Sequence, residues 1–135
     1  WVTIGCGDIA HQFAQAMRQE GRTLYGVANR TYEKAAAFAD EYGISTVYEK
    51  ISDVFTDENV DIVYIATPHN THSSYINEAL RHGKHVLCEK AITLDVSDLT
   101  TAQALAGGGK NPKPGEVTQR HRLWQKKGDW FWRRP

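Results

Sequence analysis

The sequence predicts an α/β domain: a parallel, doubly wound sheet with helices on both faces. Three observations carry this. Short apolar segments alternate with amphipathic segments of helical length along residues 1–106, the pattern of strand-helix-strand units with right-handed crossovers. Asp61-Ile62-Val63-Tyr64-Ile65-Ala66 is a near-continuous apolar run, as a strand covered on both faces must be. Trp1-Val2-Thr3-Ile4 then runs straight into Gly5-Cys6-Gly7-Asp8-Ile9-Ala10. A strand, a glycine turn and a helix start in that order cradle a dinucleotide pyrophosphate.

In that turn Gly5 permits the tight bend and Gly7 lets backbone approach phosphate with no Cβ in the way. Ala10 is small enough for the helix to pack on the strand, and the helix N-terminus presents unpaired N–H groups to an anion. Ile9, Phe13, Ala16 and Met17 recur at helical spacing and are expected to face the sheet, with Gly21 ending the helix. Residues 23–28 form a second strand ending at Asn29-Arg30. Thr31 is the expected cap of the next helix, which has Glu33 in its first turn, Ala35, Phe38, Ala39 and Tyr42 on one face, and Gly43 at its end.

Residues 45–48 read as a short strand, followed by a brief helix with Ile51, Val54 and Phe55 inward and a loop at Asp57-Glu58-Asn59. The strand at 61–66 is broken at its carboxyl end by Thr67-Pro68-His69-Asn70. Asn70 or Thr71 caps a helix carrying Tyr75, Ile76, Ala79 and Leu80, and Gly83 terminates it. Residues 84–88 are the fifth strand, with Glu89-Lys90-Ala91 directly after it. Asp95 caps a last helix running through Leu99, Ala102 and Leu105 to Ala106.

Ligands of such sheets bind at the carboxyl ends of the strands, near the point where strand order reverses. Four segments lie there: Gly5, Gly7, Asp8, Ile9 and Ala10; Asn29 and Arg30; Thr67, Pro68, Asn70 and His72; and Glu89 with Lys90. An acidic residue ending the second strand would select NAD by binding ribose hydroxyls, whereas neutral Asn29 followed by cationic Arg30 favours NADP. Lys90 is a proton donor tunable by burial and neighbours, and Glu89 could orient a ribose or the nicotinamide.

These four strings, including Ile65-Ala66-Thr67-Pro68 and Gly83-Lys84-His85-Val86-Leu87-Cys88-Glu89-Lys90, resemble the N-terminal domain of the Gfo/Idh/MocA oxidoreductases over roughly residues 1–106. The resemblance implies a Rossmann fold and the use of NAD(P) to oxidise or reduce a hydroxyl or carbonyl, usually on a sugar, inositol or related diol. It implies that Lys90 helps bind the nicotinamide ribose and relays the proton, and that Asn70 and His72 line the nicotinamide end. It also implies a second α/β domain that holds most of the substrate pocket, a further catalytic His, Asp or Tyr, and the dimerising sheet of homo-oligomeric relatives. The chain lacks an initiator Met, begins almost inside its first strand and ends before such a domain. It is therefore expected to be a cofactor-binding fragment with little or no turnover. Ala91 stands where the family has proline, so the Lys90–Ala91 peptide is expected to be trans, a non-proline cis bond costing about 3 kcal/mol.

Other classes fit less well. A non-catalytic dinucleotide-binding regulatory module is the main alternative, opposed by the retained Glu89-Lys90 pair. A methyltransferase would want an acid where Asn29 stands, and a short-chain dehydrogenase would need a Tyr-x-x-x-Lys string that occurs nowhere in the chain. His69, His72, His82 and His85 suggest no metal site, since no Cys or carboxylate completes a ligand set. Cys6 and Cys88 are too few for a disulfide framework and read as bystanders.

Formal charge is zero, yet residues 1–109 hold 8 Lys+Arg against 14 Asp+Glu and residues 110–135 hold 8 against 2. No apolar run approaches the ~20 residues of a membrane span and no signal peptide is visible, which makes the cytoplasm the default location. From Gly107 the chain turns rich in Gly and Pro where the family would have its sixth strand. Trp124, Trp130, Phe131 and Trp132 then follow among Arg and Lys. Residues 107–135 are thus expected to be an irregular basic tail, read as non-native sequence introduced by a frameshift. A nucleic-acid arm is the weaker reading of that tail.

Overall fold

Parallel β-strands are laid side by side in the order β3-β2-β1-β4-β5-β6 in this computed structural model, which describes residues 1–107 and 117–119. They are β1 (Val2–Ile4), β2 (Gly26–Ala28), β3 (Thr46–Tyr48), β4 (Ile62–Ile65), β5 (His85–Cys88) and β6 (Val117–Gln119). The crossovers are α1 (Asp8–Gln19), α2 (Tyr32–Tyr42), α3 (Ile51–Thr56), α4 (His72–Arg81) and α5 (Val96–Ala106), with one 3-10 turn (His69–Thr71) leading into α4. Strand order reverses between β1 and β4, so a crevice opens above their carboxyl ends.

Alternation along each strand divides the core in two. Val2, Ile4, Val63, Ile65, Val86 and Cys88 pack with Val54 and Phe55 of α3 and Ile76, Ala79 and Leu80 of α4. Val27, Tyr64 and Leu87 turn to the other face, against Phe13, Ala14 and Met17 of α1 and Ala35, Phe38 and Ala39 of α2. Both faces are covered, as the apolar run at 61–66 requires.

The buried stripe of α1 is Ala10, Phe13, Ala14 and Met17, a correction to the expected Ile9, Phe13, Ala16 and Met17. The helix starts at Asp8 with Gly7 as its N-cap. That phase sets the i, i+3, i+4, i+7 stripe from Ala10 and turns Ile9 outward, 39% exposed. A second correction concerns the tail. Val117–Gln119 is not irregular but pairs in parallel with β5, Val86 opposite Val117 and Cys88 opposite Gln119. Three residues are too few to show a period in sequence, but they pair with β5 along the edge that β4 does not occupy. Trp124, Trp130, Phe131 and Trp132 lie outside the described residues.

The expected caps differ in how they act. Asp95 caps α5, its carboxylate accepting from Ser97 N at 2.6 Å. Thr71 occupies the N-cap position of α4, but its hydroxyl donates back to the Pro68 carbonyl at 2.7 Å. Thr31 occupies that of α2 without a side-chain capping bond among the described residues. Gly43 and Gly83 end their helices with φ of 69° and 70°, as left-handed terminators do. No helix among the described residues is long and apolar enough to cross a membrane.

At the opposite edge of the sheet, Asp57 ties the α3–β4 turn to its neighbours. Its carboxylate accepts from Tyr48 Oη at 2.7 Å, Tyr25 Oη at 3.4 Å and Asn59 N at 2.8 Å, while the buried Lys84 Nζ donates to the Asp57 carbonyl at 2.7 Å. The Tyr48 hydroxyl, then the Asn59 N–H, hold the carboxyl below its ordinary value of 3.8; burial, then the bond to Asp57, pushes the Tyr48 phenol up. A folded-state value below the unfolded one stabilises fully above the unfolded value, and the gain is lost as pH falls through the folded value. Asp57→Asn should therefore lower stability at pH 7, by an amount that solvent screening of this water-accessible carboxylate keeps small. It should also flatten the loss of stability below pH 4 in urea titrations compared with the parent chain.

Candidate active site

The site is built by continuing the sheet one residue beyond its strands. Ile4 is in register with Ala28 and with Ile65, and Ile65 with Cys88. The next residues keep the ladder going: Gly5 N donates to Ala28 O at 2.9 Å, Ala66 N to Ile4 O at 2.9 Å and Glu89 N to Ile65 O at 3.0 Å. Gly5, Asn29, Ala66 and Glu89 therefore stand in one row, and the four sequence segments that follow them share one edge.

Gly5 is demanded by the fold. Its φ is 104°, and a Cβ there would stand 2.4 Å from the Ala66 carbonyl oxygen. Gly7 is different. Its φ of −86° suits any residue, and a Cβ would meet no heavy atom of the described residues within 4 Å. Packing does not explain a glycine there, whereas a ligand lying against the backbone does. Helix hydrogen bonding begins at His11 N to Gly7 O, 3.1 Å, so the N–H groups of Asp8, Ile9 and Ala10 at the start of α1 face the crevice, where an anion is favoured. The turn fits a pyrophosphate. Asp8 and Ile9 are exposed beside it, and Ala10 is buried.

Asn29 closes its own turn, Nδ2 donating to the Thr31 carbonyl at 3.0 Å. Arg30 is exposed and makes no ion pair among the described residues, which leaves its guanidinium available to a phosphate. Thr67 and Thr71 hydroxyls meet at 2.7 Å, a bond that shapes the turn through Pro68 and Asn70, both exposed. Lys90 is exposed and Glu89 half-buried.

His72 departs from its expected place. It is fully buried; Nε2 lies 2.8 Å from the Thr67 carbonyl and Nδ1 2.8 Å from the Ala91 carbonyl. Its ring nitrogens face main chain, so it ties the loop after β4 to the segment after β5. The Lys90–Ala91 peptide is cis, a correction to the expected trans bond. The segment is pinned on both flanks, by Glu89 N to Ile65 O and by the Ala91 carbonyl on His72, and those anchors fix the path of the chain between them.

Sequence reading missed Tyr64. It is fully buried in β4, its ring 4.1 Å from that of Phe13, and its hydroxyl donates to Glu89 Oε1 at 2.5 Å. The available signal was a phenol in an otherwise apolar strand, because a buried hydroxyl needs a partner.

Burial, opposed by nearby Lys34, raises the Cys6 thiol to about 11, and burial raises Cys88 to about 12. Among the described residues no group of three or more His, Cys, Asp or Glu side chains could hold a metal ion. A cavity of about 320 Å³ between the C-terminal ends of α1 and α2, lined by Arg18, Arg22 and Glu41 among others, lies at the far edge of the sheet from Gly7.

A family model described as "Oxidoreductase family, NAD-binding Rossmann fold" matches residues 1–111. The chain belongs to the Gfo/Idh/MocA family. Within it, the chain is 33% identical over 99 residues to a 1,5-anhydro-D-fructose reductase of Ensifer adhaerens, covering 73% of this chain and 30% of that protein. It is 38% identical over 72 residues to D-xylose 1-dehydrogenase (NADP(+)) 2 of Haloferax volcanii, 53% of this chain and 22% of that protein. Its fold matches a 3-ketoreductase from Actinomadura kijaniata solved with NADP and TDP-benzene, TM-score 0.79 at 28% identity, covering 93% of this chain and 38% of the other. The chain thus spans between 22% and 38% of the length of these Gfo/Idh/MocA relatives.

Two measurements check the site's construction. Gly5→Ala should lower stability by about 2 kcal/mol or more, while Gly7→Ala should leave the melting temperature within about 2 °C of the parent in thermal unfolding. Because both thiols sit above the ordinary range, iodoacetamide at pH 8 should label the native chain at least about tenfold more slowly than the urea-unfolded chain.

Proposed function

We propose that this chain binds NADP in preference to NAD and forms the cofactor half of an oxidoreductase acting on a hydroxyl or carbonyl of a sugar, inositol or related diol. The observation that carries the reading is Gly7: the fold leaves open the space a side chain would fill, directly in front of the α1 N-terminus. When bound, the nicotinamide supplies a hydride acceptor or donor. The protein's part is to hold and orient. The N–H groups of Asp8, Ile9 and Ala10 take the pyrophosphate, and Ile9 gives an apolar wall beside it. Arg30 pairs with a 2′-phosphate where an acidic residue would repel one. Thr67, Pro68 and Asn70 border the nicotinamide end, with His72 behind them holding the loop.

Lys90 is the catalytic residue in this reading. It would bind the nicotinamide ribose and pass a proton to or from the reacting oxygen; its exposure just beyond β5 supports this. Glu89, held by Tyr64, orients the same end. The NADP named with the Haloferax and Actinomadura relatives supports the cofactor preference. Sugar-type substrates in the relatives' names support the substrate class. The remaining length of such relatives would supply the substrate pocket and the subunit contacts, so the 135 residues alone should bind cofactor with little turnover.

Fluorescence titration separates this reading from a methyltransferase or an empty scaffold. NADPH should bind at least about fivefold more tightly than NADH, and Arg30→Ala should remove most of that difference. S-adenosylmethionine should not bind. Gly7→Ala should weaken NADPH by about tenfold or more with the fold intact; undiminished affinity in that variant would refute the pyrophosphate assignment.

A further inference from the structure

We propose that Thr67 makes the nicotinamide end of the crevice selective for a ligand that brings a hydrogen-bond donor, so that the chain takes a nicotinamide dinucleotide and discriminates against its nicotinic acid counterpart. The inference follows from where two hydroxyl protons go. Thr71 Oγ1 lies 2.7 Å from the Pro68 carbonyl oxygen and 2.7 Å from Thr67 Oγ1. A threonine hydroxyl has one proton, and a carbonyl oxygen only accepts. Thr71 therefore spends its proton on Pro68, and the proton between the two threonines belongs to Thr67. The reverse order would leave Thr71 Oγ1 and the Pro68 oxygen 2.7 Å apart with no proton between them. Protons run from Thr67 to Thr71 to Pro68, and Thr67 Oγ1 keeps only lone pairs for a ligand.

The surroundings make that polarity count. Thr67 directly follows Ala66, whose N–H extends the ladder to Ile4, and its Cγ2 comes within 3.2 Å of the place a Cβ on Gly5 would take. The half-buried side chain thus stands beside the glycine turn. Main-chain groups of the same loop are already engaged. The Thr67 carbonyl faces His72 Nε2 at 2.8 Å, and the Pro68 carbonyl also accepts from Thr71 N at 2.9 Å. Pro68 has no N–H to give. Asn70 is exposed, and its amide can turn to donate or to accept, so it does not discriminate. On the β5 side the Glu89 carboxylate accepts as well, from Tyr64 Oη. A carboxamide brings an N–H₂ donor to Thr67, whereas a carboxylate brings only lone pairs and gains no bond. The inference rests on the nicotinamide end assigned above and adds the group on the ring that the chain reads.

The test uses the whole 135-residue chain, titrated calorimetrically with NADP, with nicotinic acid adenine dinucleotide phosphate, and with 2′,5′-ADP, which has no nicotinamide half. NADP should bind about tenfold more tightly than the acid. Thr67→Val, of nearly the same shape, should bring that ratio close to one by weakening NADP, and should leave 2′,5′-ADP unchanged. Thr71→Val keeps Thr67 but removes the acceptor of its proton. The freed hydroxyl can then donate, so this variant should bind the acid more tightly than the parent does. Glu89 and Lys90 are the same in all three chains, so a change in the ratio reports the hydroxyl. Equal binding of NADP and the acid by the parent overturns the proposal and leaves the cofactor reading standing, as does a ratio unaltered in Thr67→Val. Should Thr71→Val not fold, those two comparisons decide. A parent chain that binds neither dinucleotide refutes the cofactor reading, and this inference with it.

Discussion

Three backbone hydrogen bonds just past the strand ends hold the site in place: Gly5 N to Ala28 O, Ala66 N to Ile4 O and Glu89 N to Ile65 O. Each extends the parallel ladder into a loop, so the loops inherit the positional precision of the sheet. The same continuity brings Gly5 so near Ala66 that no side chain fits between them. Turn, crevice wall and Glu89 are in this sense one rigid row, and side chains are layered onto it: Tyr64 beneath Glu89, Thr71 against Thr67, His72 between Thr67 and Ala91.

The glycines of the turn do different work, although a sequence string treats them alike. Gly5 is required by the fold, whereas Gly7 leaves open space in front of α1 that no packing contact among the described residues fills. The contrast also explains Ile9. With Gly7 as N-cap, α1 enters at a phase that buries Ala10 against the sheet and leaves an apolar residue at the mouth of the crevice.

Much of this was legible in the sequence because it rests on local rules. Strand and helix order, the left-handed Gly43 and Gly83, the Asp95 cap and the convergence of four segments on one edge follow from periodicity, turn chemistry and the geometry of parallel sheets. The phase of α1 was not legible, since Ile9, Ala10, Phe13, Ala14, Ala16 and Met17 offer two apolar stripes one residue apart. His72 and Tyr64 were read by residue type, and their roles depend on partners 19 and 25 residues further along the chain. The cis peptide before Ala91 is fixed by anchors on other elements, which no dipeptide preference records. β6 is three residues long and gains its identity from β5 alone.

The place of β1 in the strand order has a kinetic side. Val2, Thr3 and Ile4 pair on one flank with β2, close in sequence, and on the other with Val63, Tyr64 and Ile65. On a ribosome the chain emerges N-terminus first, so the strand at the centre of the finished sheet must wait, one edge unpaired, until β4 has been made. Closing that long loop costs chain entropy before it is repaid in contacts. The glycine turn is made before β4, and its flank against Ala66 is held only once β4 has joined β1.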